Sequence, residues 1–134
     1  MSTQAQGTFA VRLAPQPLHE QATGSTLGRL SIDKQFTGDL EATSVGEMLS
    51  SRTATEGSAG YVAIEQVTGT LHGLSGSFVL QHTGIMARGV PQLSIVVVPD
   101  SGTGELAGLS GNMMIDVAAQ LHAYTFDYSL AERV

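Results

Sequence analysis

No cysteine stands anywhere in the 134 residues. That excludes a disulfide framework, a thiolate zinc site and a cysteine nucleophile, so buried apolar surface has to stabilise the fold. Positive charge is scarce as well: six Lys and Arg stand against twelve Asp and Glu, for a net charge of −6. Such a chain repels a phosphate backbone, and no nucleic-acid partner is expected. No apolar run approaches the roughly 20 residues of a membrane helix. The start, "MSTQAQGTFAV", lacks the basic region and apolar stretch of a signal peptide. The expectation is a soluble cytoplasmic protein without a membrane partner.

What is present is an apolar content of 42%, enough for one core, and no linker, so residues 1–134 read as a single domain. Helical spacing is met only weakly, in "VGEMLSSR" (Val45 to Arg52) and "IDVAAQLHAY" (Ile115 to Tyr124). Alternation with a period of two is far commoner. Phe9, Val11 and Leu13 alternate with Thr8, Ala10 and Arg12, and Leu30, Ile32, Lys34 and Phe36 alternate with Ser31, Asp33 and Gln35. Asp39 to Leu49, "YVAIEQV", "GSFVLQHT", "QLSIVVV", "GNMMIDV" and "LHAYTFDYSL" complete a set of eight strands. The longest irregular connection runs from Ala14 to Thr26, and a polar loop from Ser51 to Gly60.

One phrase is written twice. "TGTLHGLSG" (Thr68 to Gly76) and "TGELAGLSG" (Thr103 to Gly111) agree at seven of nine positions, 35 residues apart, and "TGDLEATSVGEM" (Thr37 to Met48) is a degraded third copy. That period matches about two strands with their turns. Glycine supplies the positive φ values and bulges that bend a strand sharply, so each copy reads as a corner of a sheet that curls to close on itself. A phosphate-cradling loop needs a different glycine spacing, a lysine or a following helix, and none is present.

The segments "SIDKQFTGDLEATSVGEML", "GSAGYVAIEQVTGTLHGLSGSFVLQH" and "VVPDSGTGELAGLSG" resemble a bacterial family described only as a domain of unknown function. The likeness runs from about Gly7 to Leu130. It implies an all-β, calycin-type fold, a closed antiparallel barrel of about eight strands like that of allene oxide cyclase. The cyclase encloses an apolar cavity, but its catalytic residues match no positions in this chain, and no activity comes with the resemblance.

Three local patterns suggest chemistry and are better read as structure. "DSGT" (Asp100 to Thr103) matches the aspartic-protease signature. Only 34 residues follow Asp100 and Pro99 interrupts the strand before it, so it reads as a turn from which Asp100 can line a barrel mouth. "ATSVG" (Ala42 to Gly46) places Ser44 as in a nucleophile elbow, yet that elbow requires a parallel α/β sheet. His19, His72, His82 and His122 share no ligand spacing, so neither a metal site nor another cofactor is expected.

The inward faces of the strands carry more information. Lys34 shares a face with Leu30, Ile32 and Phe36; His82 with Phe78 and Leu80; Glu65 with Tyr61, Ala63 and Val67. For Glu65 the opposite face is also apolar, and Glu47 is ambiguous in the same way. Polar groups inside an apolar enclosure are costly unless paired or met by a ligand. Lys34, Glu47, Tyr61, Glu65, His82 and Asp100 are therefore the candidate ligand-binding residues. The leading expectation is a barrel that binds a small, mostly apolar molecule inside or at its mouth. Whether it is an enzyme stays open; in a cyclase- or isomerase-type reaction Glu65 or His82 would move a proton and Lys34 would steady a negative charge. The alternative is a solidly packed structural or interaction module. "LSIVVV" (Leu93 to Val98) is apolar on both faces, which predicts a homo-oligomer that buries the outside of this strand.

Overall fold

The computed structural model describes residues 2–20, 26–116 and 122–131. Eight antiparallel strands form a closed barrel in simple sequential order. They are β1 (Thr3–Gln16), β2 (Leu27–Gly38), β3 (Leu40–Arg52), β4 (Ala59–Leu71), β5 (Leu74–Ala87), β6 (Val90–Val97), β7 (Leu109–Asp116) and β8 (His122–Leu130). A short 3-10 turn (Gly104–Leu106) interrupts the connection from β6 to β7. The expected all-β barrel is what the chain forms. The stretch Val45 to Arg52, with its weak helical spacing, lies within β3. Of the other such stretch, residues 117–121 fall outside the described residues, as do residues 21–25 of the long connection.

The repeated phrase explains how the barrel is closed at one end. Its three copies lie at the β2–β3 corner, the β4–β5 corner and the 3-10 turn before β7, all at the same end of the barrel. Each copy sets its leucine into the interior. Leu40 and Leu106 are 1% exposed and Leu71 is 0% exposed, and with Leu109 they seal this base. Burying a leucine side chain is worth about 2 kcal/mol, so the three repeat leucines form a large part of the local stability. The glycine preceding each leucine by two positions allows the bend: φ is 110° at Gly38 and 60° at Gly104. The two full copies also meet, through Ser75 and through Ser77 just past the first of them. Ser77 N–H donates to Thr103 Oγ1 at 3.0 Å, and Ser75 N–H donates to Glu105 Oε1 at 3.1 Å.

These leucines also decide which face of each strand points inward. Side chains alternate along a strand, so fixing one fixes the rest. Leu71 inside puts Val67, Glu65, Ala63 and Tyr61 on the inner face of β4, and leaves Val62, Ile64 and Gln66 outside. Leu40 inside does the same for Ala42, Ser44, Gly46 and Met48 of β3, and turns Glu47 outward. Above the base, Phe36, Phe78, Phe126 and Tyr124 fill the barrel, with the Phe78 and Phe126 rings stacked at 5.7 Å between centroids. Among the described residues the opposite end has no such plug.

Candidate functional site

One layer above the aromatic core, four polar side chains from four consecutive strands converge: Lys34 (β2), Ser44 (β3), Glu65 (β4) and His82 (β5). All are buried, Glu65 completely. The Glu65 carboxylate is the hub. It accepts hydrogen bonds from Lys34 Nζ at 3.1 Å and Ser44 Oγ at 2.8 Å, and lies 2.8 Å from His82 Nε2. Burial alone would raise its pKa. The hydrogen bond from His82, the charges of Lys34 and His82 and the bond from Ser44 outweigh that and hold it below the ordinary carboxylate value. An ionised carboxylate only accepts, so the proton between Glu65 and His82 belongs to Nε2. Lys34 is clamped from its other side by aromatic faces, with Nζ 5.1 Å from the Phe9 ring centroid and 5.8 Å from that of Phe36.

Above this cluster come the inward residues Ile32, Gly46, Ala63 and Gly84, and beyond them the barrel mouth. A cavity of about 400 Å³ opens there, walled by inward residues of successive strands that include Leu30, Met48, Tyr61, Leu93 and Ile115. Tyr61 connects the two layers, its ring centroid 6.3 Å from that of His82. It lies across Gly84, its direct partner on β5, where a β-carbon would overlap the ring. Burial, and then the charge of Glu65, raise the pKa of the Tyr61 hydroxyl, which therefore stays protonated at neutral pH.

Of the six candidate residues, the fold brings four together: Lys34, Tyr61, Glu65 and His82. Glu47 and Asp100 are corrections. Glu47 points outward and pairs with Arg29 at 2.5 Å on the exposed surface, because the register set by Leu40 gives it the outer face. Asp100 lies beyond the end of β6, in a turn at the sealed base with φ of 65°, far along the strands from the mouth. Ser44 belongs to the cluster instead, and its inward parity with Leu40 and Ala42 was the available signal. Gly84 and Gly46 were also missed. Gly46 sits opposite Glu65, and a β-carbon there would press on the Glu65 side chain. No group of three or more potential metal ligands is present among the described residues.

Residues 5–128 match the family model described as "Protein of unknown function (DUF3224)". The chain belongs to that family. A crystal structure of a DUF3224 protein of unknown function from Shewanella oneidensis MR-1 is 50% identical and superposes with a TM-score of 0.94, covering 99% of this chain and all of that one. No curated protein matches the chain. No helix among the described residues is long and apolar enough to cross a membrane.

Proposed function

We propose that this DUF3224 barrel is a cytoplasmic protein that binds a small, mostly apolar molecule in its open mouth. The observation that carries this reading is the layered interior: an apolar cavity of about 400 Å³ is walled by Tyr61, whose ring reaches down to His82 of a buried polar cluster. The volume lies within the range of small-molecule sites, and apolar walls with a few polar groups are their usual make-up. A buried charged cluster is a weak source of stability compared with apolar packing of the same volume, so its retention under a cavity favours a role in recognition. Tyr61, which lines the cavity, is the group that meets the ligand, and His82 stands behind its ring. Lys34 is engaged by Glu65, so it holds the cluster rather than the ligand.

The test is native mass spectrometry of protein purified from its own host, with organic extraction of what accompanies it. Wild type is expected to carry a stoichiometric small molecule that Met48→Trp, which fills the mouth, does not. An empty wild type that also resists loading with fatty acids and aromatic metabolites would remove the proposal.

A second reading is favoured by the outer surface. Val45, Leu49, Val62 and Ile64 are each about half exposed and wall a shallow groove of about 770 Å³ across β3, β4 and β5. On β6, by contrast, Ile95 and Val97 point into the core, and the outer face holds Ser94 and Val96. On this reading the barrel is an interaction module that self-associates through β3 and β4. Light scattering at micromolar concentration distinguishes a dimer from a monomer, and Val62→Asp is expected to break the dimer.

A further inference from the structure

The mouth cavity has a chemical polarity of its own. Arg52, the last residue of β3, is the one charged side chain that lines it among the described residues; no carboxylate does. Ser50, Ser51 and Gln92 add uncharged polar groups near the same rim, and the walls below are apolar. At the floor the situation reverses. The donors of Lys34, Ser44 and His82 are engaged by Glu65, and the negative charge of Glu65 reaches upward far enough to raise the Tyr61 hydroxyl. An anion pushed to the floor would meet that charge without a free cation to offset it. A neutral hydroxyl or carbonyl would instead meet the Tyr61 hydroxyl.

The distribution of charge over the whole barrel points the same way. The connections at the sealed base carry Asp39, Glu41, Asp100 and Glu105, and no Lys or Arg among the described residues. Arg29, Arg52 and Arg88 stand at the mouth end beside Glu20, Glu47, Glu56 and Asp116, so among the described residues that end is nearly balanced where the base is wholly acidic. The base therefore repels small anions and the mouth is where they can approach.

We infer that the ligand is a small organic acid: an anionic group held at the rim by Arg52, an apolar body along Leu30, Met48 and Ile115, and a neutral polar group at the far end against Tyr61. This inference rests on the mouth-binding reading above and adds the charge and the orientation of the occupant. A guanidinium at an open rim pairs with a carboxylate through charge-assisted hydrogen bonds, while its exposure leaves the fold independent of it.

The experiment is a titration of wild type, Arg52→Ala and Arg52→Glu with decanoic acid, decanamide and decylamine, followed by calorimetry, with thermal melts as a folding control. Wild type is expected to bind the acid about tenfold or more tightly than the amide, a difference of about 1.4 kcal/mol. Arg52→Ala is expected to abolish that preference while still binding the amide, and Arg52→Glu to favour the amine, both with unchanged melting. Equal binding of acid and amide by wild type, or a preference that survives in Arg52→Glu, overturns the assignment of the anionic group and leaves the mouth-binding reading standing. If wild type binds none of the three, both fall.

Discussion

The two ends of this barrel are built from the same strands and do opposite things. At the base, three copies of one short phrase turn the chain and drive leucines into the interior, so that Leu40, Leu71 and Leu106 are buried there. At the mouth the inward positions are held by Leu30, Met48, Tyr61, Leu93 and Ile115, none of them fully buried, around open space. Between the ends lies the buried Lys34–Glu65–His82 group, which neither packing nor solvation would favour by itself. The difference teaches that in a small barrel the burial that stabilises and the space that binds can be separated along the axis.

Substitutions should divide along that axis. Leu71→Ala, in the base, is expected to destabilise the protein by about 2 to 5 kcal/mol in chemical denaturation, whereas Leu30→Ala at the mouth should cost about 1 kcal/mol or less. Removing the hub of the cluster is at least as severe: Glu65→Ala leaves the Lys34 ammonium buried without its carboxylate, for about 3 to 5 kcal/mol. The double change Lys34→Met, Glu65→Leu should recover most of that loss while removing the polar floor, which separates the fold's need from the site's.

The cluster also gives a pH dependence with a definite sign. Glu65 has a folded pKa below its unfolded value of about 4.5. Its contribution is therefore fully present above the unfolded pKa and is lost as the pH falls through the folded one. Wild type should lose stability more steeply than Glu65→Gln below about pH 4.5, as read from thermal melts across an acid series. Parallel melting curves for the two would show that Glu65 is not ionised in the fold.

Gly84→Ala forces the Tyr61 ring off β5. Because the ring borders open space it can swing outward, so stability should change by about 1 kcal/mol or less, and ligand affinity should change more. Smallest of all is the exposed Arg29–Glu47 pair: Glu47→Ala should shift stability by no more than about 0.5 kcal/mol, within the range of surface ion pairs.

Much of the fold was legible. Period-two alternation, glycine-bearing turns and the repeat sufficed for eight strands and a closed sheet. The site was legible in part. Lys34 and His82 lie in strands whose opposite faces are polar, so their inward direction could be read directly. Glu65 and Glu47 lie in strands with apolar residues on both faces, and alternation alone does not orient them. The repeat itself held the answer. Glu65 stands six residues from Leu71, an even number, and Glu47 stands seven from Leu40, an odd one. Once the repeat leucines are known to face inward, one glutamate must be inside and the other outside. Asp100 failed for another reason: a turn residue has no strand parity, and which end of the barrel it occupies depends on counting strands through the whole chain. The contact of Tyr61 with Gly84 depends on cross-strand register, which the local sequence does not carry.

The most direct test of the division between base and mouth is methyl NMR on the full chain, with decanoic acid as the first probe. The account predicts that resonances of Leu30, Met48, Leu93 and Ile115 shift in a saturable way while those of Leu40, Leu71 and Leu106 stay in place. Shifts centred on the base leucines, or on the outer residues Val45 and Val62 with a silent mouth, would contradict it.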